Sequence, residues 1–299
     1  GSMRVCFRFA SDQTRPQFED PKGPNFTTIE ASNNAVLNYH YDPKGNVRPW
    51  DRTLYIKVVR GFLREGDKIT ITFGDRSGGS PGMRLQTFCE DSYEFHTLID
   101  PIATYCYQPM PVQPVIKIIP GKPDRYLAVA PTIRAIDESF SIKFKGEDKW
   151  GNPSDQCDIQ LYPHASHPIK NLPNMVSLKP GEFFGVIEGL LVADAADLYI
   201  DFLDDAGVVM CRTNPIRIEP APLSRHFWGD LHGQSEETIG TGSAEAYFAF
   251  ARDYAFVDVT GHQGNDFQIT GDFWSQLDQL CQQFNKDGKF VAIPGYEWS

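Results

Sequence analysis

Three polar residues near the C-terminus each follow a short apolar run. His226–Asp230 leads into Leu231-His232-Gly233-Gln234, Phe256–Thr260 into Gly261-His262, and Phe290–Ile293 into Gly295-Tyr296-Glu297. Two imidazoles and a carboxylate are a ligand set for zinc, manganese or iron. A divalent ion so held, of whatever number per site, brings the pKa of bound water to about 7. Asp230 stands two residues before His232, where a carboxylate can orient a ligating ring. Asp266 or Glu237 could relay a proton. Gln234, Gln263 and Asn265 are candidates for hydrogen bonds to substrate, since such a polar run is costly unless it faces water or a ligand.

These residues need elements to bring them together. Ser243 can cap a helix whose apolar residues are Tyr247, Phe248, Ala251 and Tyr254. Asp272 can cap a second carrying Phe273, Leu277, Leu280, Cys281 and Phe284, with an exit at Asp287-Gly288. Strands joined by helical crossovers return in the same direction. The three runs therefore read as one parallel sheet, with His232, His262 and Glu297 at one rim. Each residue also has a plain structural reading: His232 bonded to a loop carbonyl, His262 in an ordinary polar loop, Glu297 solvated.

Upstream the pattern is different. Residues 4–35 are polar and proline-rich and read as an extended arm. Short β-branched and aromatic runs follow, including Leu54–Val59, Lys68–Phe73, Val115–Ile119, Phe140–Phe144, Phe183–Ile187 and Leu198–Phe202, with Gly/Pro turns between them. That spacing predicts β-sandwiches. The expected division is residues 1–122 for the arm and a first sandwich-like domain, 123–222 for a second, and 223–299 for the βαβαβ run. One larger sandwich is the alternative to two. Pro220-Ala221-Pro222 reads as the linker before the α/β portion.

Composition limits the partners. The chain has 299 residues, 41% of them hydrophobic, enough for more than one core. Its formal net charge of −11 opposes nucleic acid and anionic membranes, so neither is an expected partner. No apolar run approaches a membrane span. Six scattered cysteines without a C-x-x-C pair suit a reducing, cytoplasmic setting. Gly1-Ser2-Met3 reads as a cloning remnant. Gly78-Gly79-Ser80-Pro81-Gly82 spells a nucleophile elbow, but Pro81 has no N–H for an oxyanion. Gly240-Thr241-Gly242 lacks the third glycine of a dinucleotide fingerprint.

Asp230-Leu231-His232-Gly233-Gln234-Ser235, Thr260-Gly261-His262 and Gly295-Tyr296-Glu297 resemble successive motifs of the PHP metallohydrolase family, most closely its DUF3604 branch. The resemblance covers roughly residues 224–299. It implies a multidomain chain in which the β-sandwich-like domains precede the first part of a PHP-like (β/α) barrel, incomplete in this chain. It implies a metal-dependent hydrolase acting on a small-molecule ester, a phosphoester most typically. Gln234 stands where the family has a second histidine, and Gly261 where it has an aspartate. Those departures imply fewer metals, or ligation by Glu236, Glu237 or Asp266, and leave lyase or amidohydrolase chemistry open. A closed barrel takes ~250 residues, so a second polypeptide or a further segment is expected to complete it. The rival from another class is a non-catalytic binding module with a degenerate barrel. A role for the sandwiches in assembly, as in a homo-oligomer, is a third reading.

Overall fold

The computed structural model describes residues 1–298. It has two compact units, Gly1–Ile118 with Ile239–Thr241, and Ile119–Thr238 with the chain from Gly242 onward. In the first, five antiparallel strands lie in the order Val36–Asp42, Arg52–Arg60, Ser2–Phe7, His96–Asp100, Gln108–Pro109. Two strand pairs, Thr27–Ala31 with Ile69–Phe73 and Glu90–Glu94 with Val115–Ile118, add to it. Val5, Phe7, Ile29, Leu54, Ile56 and Tyr93 form its core. The extended arm expected over residues 4–35 is instead partly sheet: Ser2–Phe7 is the central strand. It is too short to show a period by itself, and both its neighbours are distant in sequence, with Cys6 opposite Thr53 on one side and His96 on the other.

The second unit begins with short antiparallel sheets around one continuous core. Phe140–Glu147 pairs with Arg125–Val129 and Phe184–Leu190, while Ile159–Ala165 pairs with Val176–Leu178 and Ile200–Leu203. Ile142, Phe144, Leu161, Leu190, Ile200, Phe202 and Ile216 fill the space between. Alternation along Phe140-Ser-Ile-Lys-Phe-Lys puts Phe140, Ile142 and Phe144 into that core and the two lysines on the other face.

The C-terminal portion belongs to this same unit. Gly229–Gly233, Val259–Asn265 and Val291–Glu297 form a three-stranded parallel sheet. Helices Ala244–Ala249 and Gly271–Phe284 cover one of its faces, burying Phe248, Phe273, Leu277, Cys281, Phe284 and Ala292. Ser243 caps the first helix, accepting from the Ala246 N–H. The first helix runs on into a π-turn, Phe250–Tyr254. The second is capped by Thr270, which accepts from the Phe273 N–H, with Asp272 in the first turn rather than at the cap.

The expected (β/α) barrel is corrected by this architecture. The described residues form twenty-two strands against two α-helices. Three parallel strands stay an open sheet, since closure of such a barrel takes eight. No helix among them is long and apolar enough to cross a membrane.

Two lysines fix this C-terminal layer to the sandwich strand. Lys143 Nζ donates to the Arg252 carbonyl at 2.8 Å, and Lys145 Nζ to that of Tyr254. Both carbonyls belong to the π-turn. Lys145 is 5% exposed and also pairs with Glu147 at 2.9 Å, whose other oxygen takes Arg125. Burial pushes the Glu147 carboxyl up, but the bonds from Lys145 and Arg125 outweigh it and hold it below its usual range. Lys145→Met leaves one buried carboxylate oxygen and one carbonyl without their donor. The expected cost is about 2–3 kcal/mol in urea unfolding; a loss within about 0.5 kcal/mol, the usual range for surface changes, would contradict this role.

Candidate functional site

The structure does not bring the expected ligand set together. His262 is fully buried on the helix-covered face, edge-on to Phe273 at 5.4 Å and Tyr247 at 6.1 Å. Its Nδ1 accepts from the Gly264 N–H at 3.3 Å, which leaves Nε2 to donate to Ser235 Oγ at 2.8 Å. Both nitrogens are thus engaged within the protein. Burial drives the imidazole pKa down, against a smaller opposing pull from Glu237, so the ring is held neutral. His232 is exposed. Asp230 Oδ1 accepts from the His232 backbone N–H at 2.9 Å, so it fixes the local backbone rather than the ring.

The other candidates are dispersed in the same way. Glu297 lies beside Asn265, whose Nδ2 donates to it at 3.4 Å. Gln234 accepts from Thr238 Oγ1 at 2.9 Å. Glu237 accepts from the Ala244 N–H at 3.4 Å, and its second oxygen is buried without a hydrogen-bond partner. Asp266 opens a 3-10 turn over Asp266–Gln268. Gln263 lies beside Gly295, where an added Cβ would sit 2.5 Å from its Nε2. Among the described residues, no three His, Cys, Asp or Glu side chains gather as metal ligands do. The residues present do not fit a divalent ion shared by His232, His262 and Glu297.

A different feature dominates the second unit. A crevice of about 1080 Å³ lies between the sandwich strands and the C-terminal layer. Phe140, Lys143, Phe184 and Val186 line one wall, Phe284–Lys286 and Gly288–Phe290 the other, and His226–Trp228 one end. Five cationic residues, Arg134, Lys143, Arg252, Lys286 and Lys289, line it against three acidic ones, Glu188, Asp253 and Asp258, with Arg252 paired to Asp253 at 2.7 Å. That balance opposes the sign of the whole chain. Burial lowers the pKa of Lys143, with Asp253 and Asp258 pulling the other way. Trp228 is anchored at both ends: its N–H donates to Asp258 at 2.8 Å and its indole N–H to Thr132 at 3.2 Å. Its ring is nonetheless 64% exposed.

Sequence reading missed these residues because they come from six separate segments. One local signal was present. Lys143 and Lys145 alternate with core residues in a strand whose second face ought to meet solvent. A lysine pair partly or fully buried there marks a covered face.

No protein-family profile matches the chain. It is 22% identical over 267 residues to an uncharacterized protein of Chlamydia trachomatis serovar D, covering 86% of this chain and 42% of that protein. An uncharacterized Chlamydia pneumoniae protein is 23% identical over 249 residues, covering 79% and 39%. The chain therefore spans about two fifths of the length of these curated relatives. Among solved structures it aligns with the D00-D0 domain of intimin (8% identical, TM-score 0.27, 67% of this chain and 96% of that one). It also aligns with the Yersinia pseudotuberculosis adhesin InvE (8%, 0.26, 67% and 57%) and the Escherichia coli adhesin FdeC (13%, 0.25, 65% and 54%). Superpositions at these TM-scores fix neither fold nor function.

The expectation of a PHP-type, DUF3604-like metal-dependent hydrolase is corrected accordingly. The fold is predominantly β, the parallel sheet is open, and among the described residues the motif side chains do not assemble a ligand set.

The buried His262 has a measurable consequence. In the unfolded chain a histidine takes up its proton near pH 6.5, whereas the folded one resists to lower pH. The unfolded state then binds more protons, so stability is lost as pH falls through 6.5. Between pH 7.5 and 5.5 the unfolding midpoint of the unmodified chain should fall further than that of His262→Gln. Equal falls would contradict the neutral, buried assignment.

Proposed function

We propose that the chain is a non-catalytic binding module whose ligand occupies the crevice of the second unit. The observation that carries this reading is the set of cationic side chains lining a large concave surface in a chain of net charge −11. Arg134, Lys143 and Arg252 are held within that surface, and Lys286 and Lys289 stand on its far wall. Phe184 and the exposed Trp228 and Phe227 supply apolar and aromatic area between the charges. Such a mixture favours a ligand with anionic groups on a ring framework. The volume exceeds that of ordinary small-molecule sites, so an oligomeric ligand suits it. An acidic or sulfated oligosaccharide is the class that meets all three conditions.

A sulfated oligosaccharide is the probe. Isothermal titration should show binding that weakens as salt is raised. It should weaken at least about tenfold in the combined variant Lys286→Glu and Lys289→Glu, since reversing charge within a site costs more than 1.4 kcal/mol. Both lysines are on the surface, so the fold should tolerate the change. Undiminished affinity in that variant contradicts the reading.

A further inference from the structure

We infer that the uncovered face of the C-terminal parallel sheet is a docking surface for a further polypeptide segment of the longer natural protein that carries this chain. Parallel sheets are stable when both faces are covered. Here the two helices bury Thr260, His262 and Ala292 on one face. On the other, Leu231 is 54% exposed, Val291 48% and Ile293 40%. The register aligns them: Val259 lies opposite Val291, and Gly261 opposite Ile293. A Cβ built on Gly261 would meet Leu231 Cδ2 at 3.6 Å, which puts Leu231 on that same face. The result is a contiguous apolar stripe across all three strands, where single exposed apolar residues would need no explanation.

The outer edge of the sheet is a poorer docking site. The Asn285 side chain exchanges two hydrogen bonds with the Ala292 backbone, at 2.9 and 3.0 Å, and Pro294 has no N–H to offer. A fourth strand beside Val291–Glu297 is therefore disfavoured, and the occupant packs on the face through side chains. It meets apolar groups at Leu231, Val291 and Ile293, and polar ones towards Gln263, Asn265 and Glu297 at the strand ends. The carboxylates at Asp230, Asp266 and Glu297 disfavour an anionic lipid surface in its place. The relatives favour a segment of the same polypeptide: this chain accounts for 42% and 39% of the two described above. This surface is separate from the crevice, and either assignment can fail without the other.

The test places Leu231→Gln, Val291→Gln and Ile293→Gln together in the 299-residue chain and in the natural gene product that contains it. In the short chain the thermal midpoint should be unchanged, because the three side chains already face water. In the natural product the midpoint should fall and protease resistance should be lost. Equal tolerance in both, failure of the short variant to fold, or a natural product with no further residues overturns the inference. A short chain that is dimeric by light scattering, and monomeric only as the triple variant, assigns the face to a second copy and also overturns it. The unmodified proteins give an independent measure. Methyl signals of Leu231 and Ile293 should respond strongly to a soluble paramagnetic agent in the short chain and weakly in the natural product; a strong response in both is contrary.

Discussion

The second unit depends on two ammonium groups that reach out of a sandwich strand. Lys143 and Lys145 donate to the Arg252 and Tyr254 carbonyls of the Phe250–Tyr254 π-turn, and so hold the C-terminal layer against the sandwich. Buried lysines are costly unless their charge is compensated. Glu147 compensates Lys145, and Arg125 in turn balances Glu147. Aromatic contacts add to the same junction: Tyr254 packs edge-on to Phe183 at 5.3 Å and Phe184 at 5.9 Å, and both amines lie near the Phe256 ring. A second contact, from the Trp228 indole N–H to Thr132, lies at the end of the crevice. Lys143 and Arg252 of the junction line the crevice together with Arg134, Lys286 and Trp228.

Individual strands and the long helix could be read from sequence, although the barrel expected of them is not formed. Gly/Pro turns and short apolar runs marked the strands from Leu54 onward, and the 3.6-residue spacing of Phe273, Leu277, Leu280 and Phe284 marked the long helix. What failed was local evidence applied to a nonlocal question. Ser2–Phe7 gave no sign of being central, because the strands that pair with it lie some 50 and 90 residues away. Thr270 took the cap expected of Asp272 because its hydroxyl falls at the position that reaches the Phe273 N–H.

The candidate site illustrates the same limit more sharply. Parallel pairing puts His262 opposite Gly233 and Pro294, in mid-strand rather than at the expected strand end, and order along a sheet does not say which face a side chain takes. His262 shares its face with Thr260 and the helices, and its ring is consumed by Ser235 and Gly264. A single step in the alternation separates a ligand from a core residue. The cationic crevice was illegible for the opposite reason. Its residues come from Arg134 to Lys289 and converge only when the chain folds.

Where a ligand sits decides between the crevice and the strand ends. Amide and indole chemical-shift mapping of the 299-residue chain, titrated with a sulfated oligosaccharide, reads this residue by residue. The account predicts saturable shifts at Lys143, the Trp228 indole, Lys286 and Lys289, with Gln234, Asn265 and Glu297 unmoved. Shifts centred on those three strand-end residues, or none that saturate, would contradict it.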